Sequence, residues 1–84
     1  MSSMLYNYLD LSRKPMGLEN RVKILRVTNG DLTQQALADA VGCSRQTIHS
    51  IESGKFTPSV ELSLKVAKIL KCKVEDLFQL VGSK

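Results

Sequence analysis

The stretch that decides the fold is residues 34–53, which read QQALADAVGCSRQTIHSIES. Before Gly42, Leu37 and Val41 recur at the four-residue spacing of one helix face, which predicts a helix. Gly42 readily adopts the left-handed conformation in which helices commonly end, and Ser44 can cap the helix that follows. The sequence therefore predicts two short helices joined by a tight turn.

In the second of these helices, Ile48 and Ile51 are the only large apolar residues, so they must anchor it to the core. Ala38 has to be small because the two helices cross close to it. The outward side chains are then polar, namely Arg45, Gln46, Thr47, His49 and Ser50. With Gln34 at its start, this spacing is typical of a helix-turn-helix, whose second helix can enter the major groove of DNA, about 12 Å wide.

The segments on either side also show helical rather than strand-like spacing. A first helix is predicted to end at the Asn29-Gly30 breaker, and its apolar positions are Leu18, Val22 and Leu25, flanked by Ile24 and Val27. Thr33 and Ser59 can cap the second and fourth helices. The inward positions predicted for the fourth helix are Val60, Leu64, Ala67 and Leu70. A short helix around Val74 to Leu80 completes an all-α fold.

Composition limits the kinds of function that are open. The chain has 84 residues, enough for one small domain, and a net charge of +4, which suits a polyanionic partner or a solvated cationic surface equally well. It has no Gly-rich phosphate loop and no paired nucleophile and base, so an enzyme is not expected. Its apolar runs fall far short of the roughly 18 residues of a membrane span, and no signal peptide opens it. We therefore expect a cytoplasmic protein.

The cysteines give no indication of a metal or cofactor site. Cys43 and Cys72 form no CxxC pair, and His49 is the only histidine that could join them. Both cysteines fall where a core contact is expected, so we interpret them as small buried apolar residues in a reducing compartment.

The segment from about Glu19 to Leu80 resembles the Cro and lambda-repressor type of helix-turn-helix regulators, also called the Xre family. The matching runs are LTQQALADAVGCSRQTIHSIESGKFTPSVELSLKVAKIL and VEDLF, which together cover core, turn and outward positions. The resemblance implies a compact five-helix bundle of lambda-repressor-like DNA-binding type over residues 18–80, followed by a C-terminal tail, residues 81–84. It also implies a homodimer that regulates transcription by occupying a two-fold-symmetric operator.

The same resemblance implies roles for individual residues. Gln34 and Lys55 match positions that hold phosphates, together with backbone N–H groups of the loop that enters the fourth helix. Arg45, Gln46 and Ser50 match positions that address base edges, with Ser44, Thr47 and His49 at the margin of that surface. His49 could instead sense pH, although a peripheral contact is the simpler interpretation.

Glu52 has two interpretations. In the family, a glutamate at this place pairs with an arginine of the first helix, which Arg26 matches, so the resemblance implies a structural ion pair. The alternative is a base contact to cytosine.

Three positions depart from the family's usual pattern. The turn at residues 28–32 is one residue longer than the family's commonest form. Lys71 stands where the fourth helix often ends in glycine, and Lys73 replaces a usual serine-type cap.

The N-terminal extension, residues 1–17, lies outside the resemblance. It contains an apolar cluster, Leu5, Tyr6, Tyr8, Leu9 and Leu11. This cluster could pack on its own domain, extend a dimer interface or exchange with a partner chain. Our hypothesis is that it joins Leu77, Phe78 and Leu80 in the dimer contact.

The leading functional prediction is a sequence-specific regulator of transcription, a repressor, whose partner is double-stranded DNA. The alternative is a protein-interaction module on the same fold, such as an antitoxin subunit or a coactivator-like adaptor. An adaptor could dispense with the side chains that contact DNA. This sequence has them in place, at Gln34, Arg45, Gln46 and Lys55, which favours DNA binding. No ligand-binding domain follows the helix-turn-helix, so no small-molecule effector is expected.

Overall fold

Five helices and one short two-stranded sheet make up residues 17–81, the part of the chain that this computed structural model describes. The elements are β1 (Gly17–Asn20), α1 (Val22–Leu25) continuing as a π-helical turn (Arg26–Gly30), α2 (Gln34–Val41), α3 (Arg45–Glu52), α4 (Val60–Leu70), α5 (Val74–Leu77) and β2 (Phe78–Val81). The predicted five-helix bundle is thus confirmed, and the sheet is an addition to it.

Three helices begin at the predicted cap residues. The side-chain oxygens of Thr33, Ser44 and Ser59 accept hydrogen bonds from the backbone N–H three residues later, at 3.0, 3.1 and 3.1 Å. Each bond satisfies a donor that has no partner inside its helix. Gly42 ends α2 in the left-handed conformation with φ 82°, as its place in the turn predicts.

The core lies where α2, α3 and α4 meet. Leu37 and Ala38 of α2 pack against Ile48 of α3, and all three are fully buried. Leu70 of α4 and Leu77 of α5 are equally inaccessible to solvent. Because Ala38 carries only a methyl group, α2 and α3 can approach closely at the crossing that orients α3.

The inward face predicted for α4 is partly wrong. Val60 is 76% and Leu64 56% exposed, whereas the buried residues of this helix are Ser63, Val66, Ala67 and Leu70. The hydrophobic spacing indicated the wrong face because a serine, Ser63, occupies a core position. The Ser63 hydroxyl donates to the Ser59 carbonyl at 2.8 Å, which satisfies its polar group inside the helix and makes its burial inexpensive.

The prediction of helix for Leu18 and for the residues after Leu77 is also wrong. β1 and β2 pair antiparallel, with Leu18 opposite Leu80 and Asn20 opposite Phe78. The ladder continues into α1 through a bond from the Arg21 N–H to the Leu77 carbonyl, at 2.8 Å. The partners come from opposite ends of the domain, so neither segment carries a local sequence signal for the pairing.

The longer turn after α1 is accommodated as a π-helical segment. The Leu32 N–H donates to the Arg26 carbonyl at 3.1 Å, and Asp31 adopts a left-handed conformation with φ 50°. One extra residue in a helical turn is the usual origin of such a bulge. The Asn29 amide then donates to the Leu70 carbonyl at 2.7 Å, which ties the turn to the end of α4.

The dimer contact predicted for the N-terminal extension lies partly within residues 17–81. The cluster from Leu5 to Leu11 lies outside the described residues. Leu77 is fully buried in its own domain, so it is not free to form the predicted dimer contact, whereas Leu80 is 68% exposed. Between residues 17 and 81, no helix has the length and apolar character to cross a membrane.

Candidate nucleic-acid interface

The outward face of α3 is polar along its whole length. Ile48 and Ile51 point into the core, while Arg45, Gln46 and His49 are exposed, with Ser50 and Thr47 half-buried beside them. The helix is only two turns long, so this division leaves no large apolar side chain on its outer surface. Such a helix can place hydrogen-bonding side chains against the edges of base pairs.

The start of α3 is held by paired hydroxyl groups. Ser44 Oγ accepts from the Thr47 N–H, and the two hydroxyl oxygens lie 2.9 Å apart. Thr47 therefore holds the first turn together as well as lying at the margin of the outward face. This bond stabilises the first turn of α3, to which Arg45 belongs.

Glu52 is turned away from the outward face of α3 and binds Arg26. Arg26 Nε lies 2.7 Å from Glu52 Oε2, and Arg26 Nη2 lies 3.2 Å from Glu52 Oε1. The two side chains are only 10% and 5% exposed. Arg26 Nη1 also donates to the Leu32 carbonyl at 2.7 Å. Of the two interpretations of Glu52, the geometry supports the ion pair, since both carboxylate oxygens are occupied.

Gln34 joins this ion pair, a contact that the sequence did not suggest. Its amide nitrogen donates to Glu52 Oε1 at 2.9 Å, so Glu52 binds residues from both the π-helical turn and α2. Gln34 keeps its second amide hydrogen and lies at the first position of α2, where the backbone N–H groups of residues 34 and 35 have no partner within the helix. The carboxylate thus orients the amide at the helix end that the resemblance assigns to phosphate.

The loop after α3 is clamped to the last turn of that helix. The Ser50 carbonyl accepts from the backbone N–H groups of both Lys55 and Phe56, at 2.9 and 3.2 Å. Gly54 makes the reversal possible with φ 81°, a conformation that few other residues adopt without strain. Lys55 is thereby brought beside Gln46 and Ser50, where all three line one small cleft with Thr47 and Phe56.

Asn20 is a positioning residue that the sequence analysis missed. Its amide nitrogen donates to the Ile51 carbonyl at 2.9 Å, and its oxygen accepts from the Val22 N–H at 3.2 Å. It thus joins the start of α1 to the last turn of α3. An asparagine side chain often binds the backbone N–H two residues later, which could have identified half of this role.

The two cysteines are partly buried against the core, as the sequence predicts for small apolar residues. Burial raises the pKa of both thiols, and the charge of Asp76 raises the pKa of Cys72 further. Burial thus favours the protonated form of both thiols. Within residues 17–81, no three histidine, cysteine or acidic side chains are grouped to hold a metal ion.

Comparison with known proteins gives a consistent result. A family model described as helix-turn-helix matches residues 22–77. An uncharacterized HTH-type transcriptional regulator of Methanocaldococcus jannaschii is 46% identical over 61 residues, which are 73% of this chain and 91% of that protein. A second uncharacterized HTH-type transcriptional regulator, from Bacillus subtilis, is 43% identical over 63 residues, covering 75% of this chain and 94% of its own length.

A solved structure matches the same region. The crystal structure of a proposed DNA-binding protein from Bacteroides fragilis superimposes with a TM-score of 0.68 at 31% identity. The match covers 74% of this chain and 98% of that protein. The similarity therefore extends over nearly the whole of the Bacteroides fragilis protein and about three quarters of this chain.

Proposed function

This chain belongs to the Xre-type helix-turn-helix family, and we propose that it is a repressor that binds a two-fold-symmetric DNA operator as a homodimer. The observation that carries the proposal is the outward face of α3. Its exposed side chains are polar, and its only carboxylate is neutralised by Arg26 on the opposite side. We expect it to act in the cytoplasm, where a chromosomal operator is accessible.

Two side chains of α3 supply sequence-specific contacts in this proposal. Arg45 can donate two parallel hydrogen bonds to O6 and N7 of guanine, and Gln46 can bind N6 and N7 of adenine. Both lie in the first turn of α3, which is the part of a recognition helix that contacts base edges. Ser50 lies one turn later and can contact a third base, while Ser44, Thr47 and His49 border this surface.

Phosphate contacts set the position of α3 on the duplex. Gln34 offers its remaining amide hydrogen together with the backbone N–H groups of residues 34 and 35, which have no partner within α2. Lys55 offers a charged amine on a loop whose backbone is fixed to Ser50. These contacts do not depend on base identity, so they orient the helix without selecting the sequence.

The second copy is proposed to bind across α4 and α5. The exposed side chains of Val60 and Leu64 line a groove of about 690 Å³ between these helices. A two-fold rotation would bring the same apolar patch of the second copy against this one, so that both patches leave water together. Lys68 and Lys73 lie with Glu75 at the groove, so each copy can offer both charges to the other. The groove contains no residue of α3, so both recognition helices remain free.

Selection from a random pool of duplexes, followed by mass measurement of the complex, tests this function. We expect one enriched sequence with two-fold symmetry, half-sites about 10 base pairs apart or a multiple of that, and two chains per duplex. Failure to enrich any sequence would contradict DNA recognition and favour the protein-interaction alternative. Enrichment of an asymmetric site by one chain would contradict only the dimer.

A further inference from the structure

We propose that Phe56 forms a subsite for the C5-methyl group of a thymine, so that one base of each half-site is recognised by apolar contact. The inference rests on the proposed DNA binding and adds a position to its specificity. Phe56 stands out because it is 47% exposed beside side chains that are otherwise polar. Contact with an apolar partner would remove the exposed ring from water, which is favourable.

The ring is held in a fixed place relative to α3. Phe56 and Lys55 both donate their backbone N–H groups to the Ser50 carbonyl, so the loop backbone is tied to the last turn of the helix. On its other side, Phe56 lines a second cleft with Leu18 and Phe78 of the sheet. The ring therefore lies between the outward face of α3 and the domain edge.

Between the ring and α3 is a cleft of about 200 Å³, lined by Gln46, Thr47, Ser50, Lys55 and Phe56. Four of these five residues belong to the proposed DNA surface. Gln46 Nε2 lies 3.4 Å from Ser50 Oγ, so the polar atoms of the two side chains are drawn toward each other. A phosphate held by Lys55 would bring the neighbouring base edge over this cleft.

The chemistry of the major groove identifies the occupant. Among the base edges exposed there, only thymine presents an apolar group, its C5-methyl. Cytosine carries only a hydrogen at C5, so in the same place it would leave the ring without the methyl contact. Because Gln46 also lines the cleft, the thymine lies within or next to the base pair that Gln46 contacts.

Deoxyuridine tests the inference because it differs from thymidine only by this methyl group. The probe is the duplex that the full-length chain selects from a random pool, with each thymine of a half-site replaced in turn by deoxyuridine. Dissociation constants are measured by fluorescence anisotropy at one salt concentration. Loss of one buried methyl group weakens binding about fourfold, so we expect that loss at one position per half-site.

The variant Phe56→Ala should bind the thymine and deoxyuridine duplexes equally well. Ile24→Ala is the matched control, since Ile24 is exposed but lies outside the cleft and outside both proposed dimer contacts, and it should keep the fourfold difference. Thermal unfolding followed by circular dichroism establishes that both variants fold.

Three outcomes would overturn the inference. A deoxyuridine penalty that persists in Phe56→Ala would mean that another residue contacts the methyl group. No penalty at any thymine, with all duplexes weakened equally by Phe56→Ala, would mean that the ring contacts deoxyribose. Both of these results leave the proposed function intact. If no sequence is enriched in the selection, the inference and the proposed function fail together.

Discussion

Glu52 Oε1 accepts hydrogen bonds from Arg26 at 3.2 Å and from Gln34 at 2.9 Å, so one carboxylate oxygen of α3 joins the π-helical turn after α1 to the start of α2. Its other oxygen lies 2.7 Å from Arg26 Nε. Because the pair is almost fully buried, removal of one partner leaves a charge without compensation. The orientation of the recognition helix therefore depends on an ion pair that makes no contact with DNA in our proposal.

Glu52→Ala should lower the free energy of unfolding by about 3 kcal/mol, because it leaves the Arg26 guanidinium buried without its partner. Urea denaturation followed by circular dichroism measures this change. Lys65→Ala is the control, since it breaks the exposed pair between Lys65 and Glu61, whose atoms are 3.2 Å apart. That variant should change stability by less than about 1 kcal/mol. Equal losses in both variants would contradict a special role for the buried pair.

Arg45→Ala should weaken binding to the selected duplex by about 1 to 3 kcal/mol and relax the preference at one base position. The reason is the loss of two hydrogen bonds to one guanine. Repeating the selection with the variant shows which position becomes degenerate. A variant that loses affinity equally on every sequence would show that Arg45 contacts the phosphate backbone instead.

Lys55→Ala should weaken binding to all duplexes to the same extent and reduce the slope of log affinity against log salt by about one unit. The expected cause is the loss of one phosphate contact, with one fewer counterion released. Titrations at several salt concentrations measure the slope. Lys65→Ala removes an equal charge on α4, away from the α3 cleft, and should leave the slope almost unchanged.

Lys71→Gly should stabilise the domain by about 1 kcal/mol. Lys71 ends α4 in the left-handed conformation with φ 57°, which costs a residue with a β-carbon more than it costs glycine. The matched control is Lys68→Gly within the same helix, which should destabilise by a similar amount. Thermal unfolding of the two variants should shift in opposite directions, and a shift in the same direction would contradict the assigned strain.

Leu64→Glu should shift the protein from dimer to monomer in sedimentation velocity, because it places a charge in the proposed contact across α4. Leu64 is more than half exposed, so the domain itself should remain folded. Deletion of residues 1–14 tests the other hypothesis, that the N-terminal cluster forms the contact. A dimer that survives Leu64→Glu but dissociates on the deletion would favour the N-terminal cluster over α4.

Local chemistry was enough to predict much of the α2–α3 unit. Caps at Thr33 and Ser44, a glycine in the turn and isoleucines at three-residue spacing are properties of neighbouring residues, and the structure has all of them. The polar outward face of α3 follows directly, because burial of Ile48 and Ile51 leaves its other side chains outside.

The α4 face and the sheet show where that reasoning stops. Ser63 is buried and Leu64 exposed because the Ser59 carbonyl satisfies the serine hydroxyl, a bond that hydrophobic periodicity does not register. Leu18 pairs with Leu80 across the sheet, so its conformation depends on a residue from the other end of the domain.

The sequence by itself determined that Arg26 and Glu52 could pair, since the resemblance assigns them matching positions and opposite charges. Only the tertiary structure decided that Gln34 shares this carboxylate and that Phe56 stands beside the outward face of α3. The physical reason is that both contacts form only when loops and helices from different parts of the chain pack around one core. Spacing along the chain reports which face a residue occupies, whereas its neighbours from other elements are set by packing.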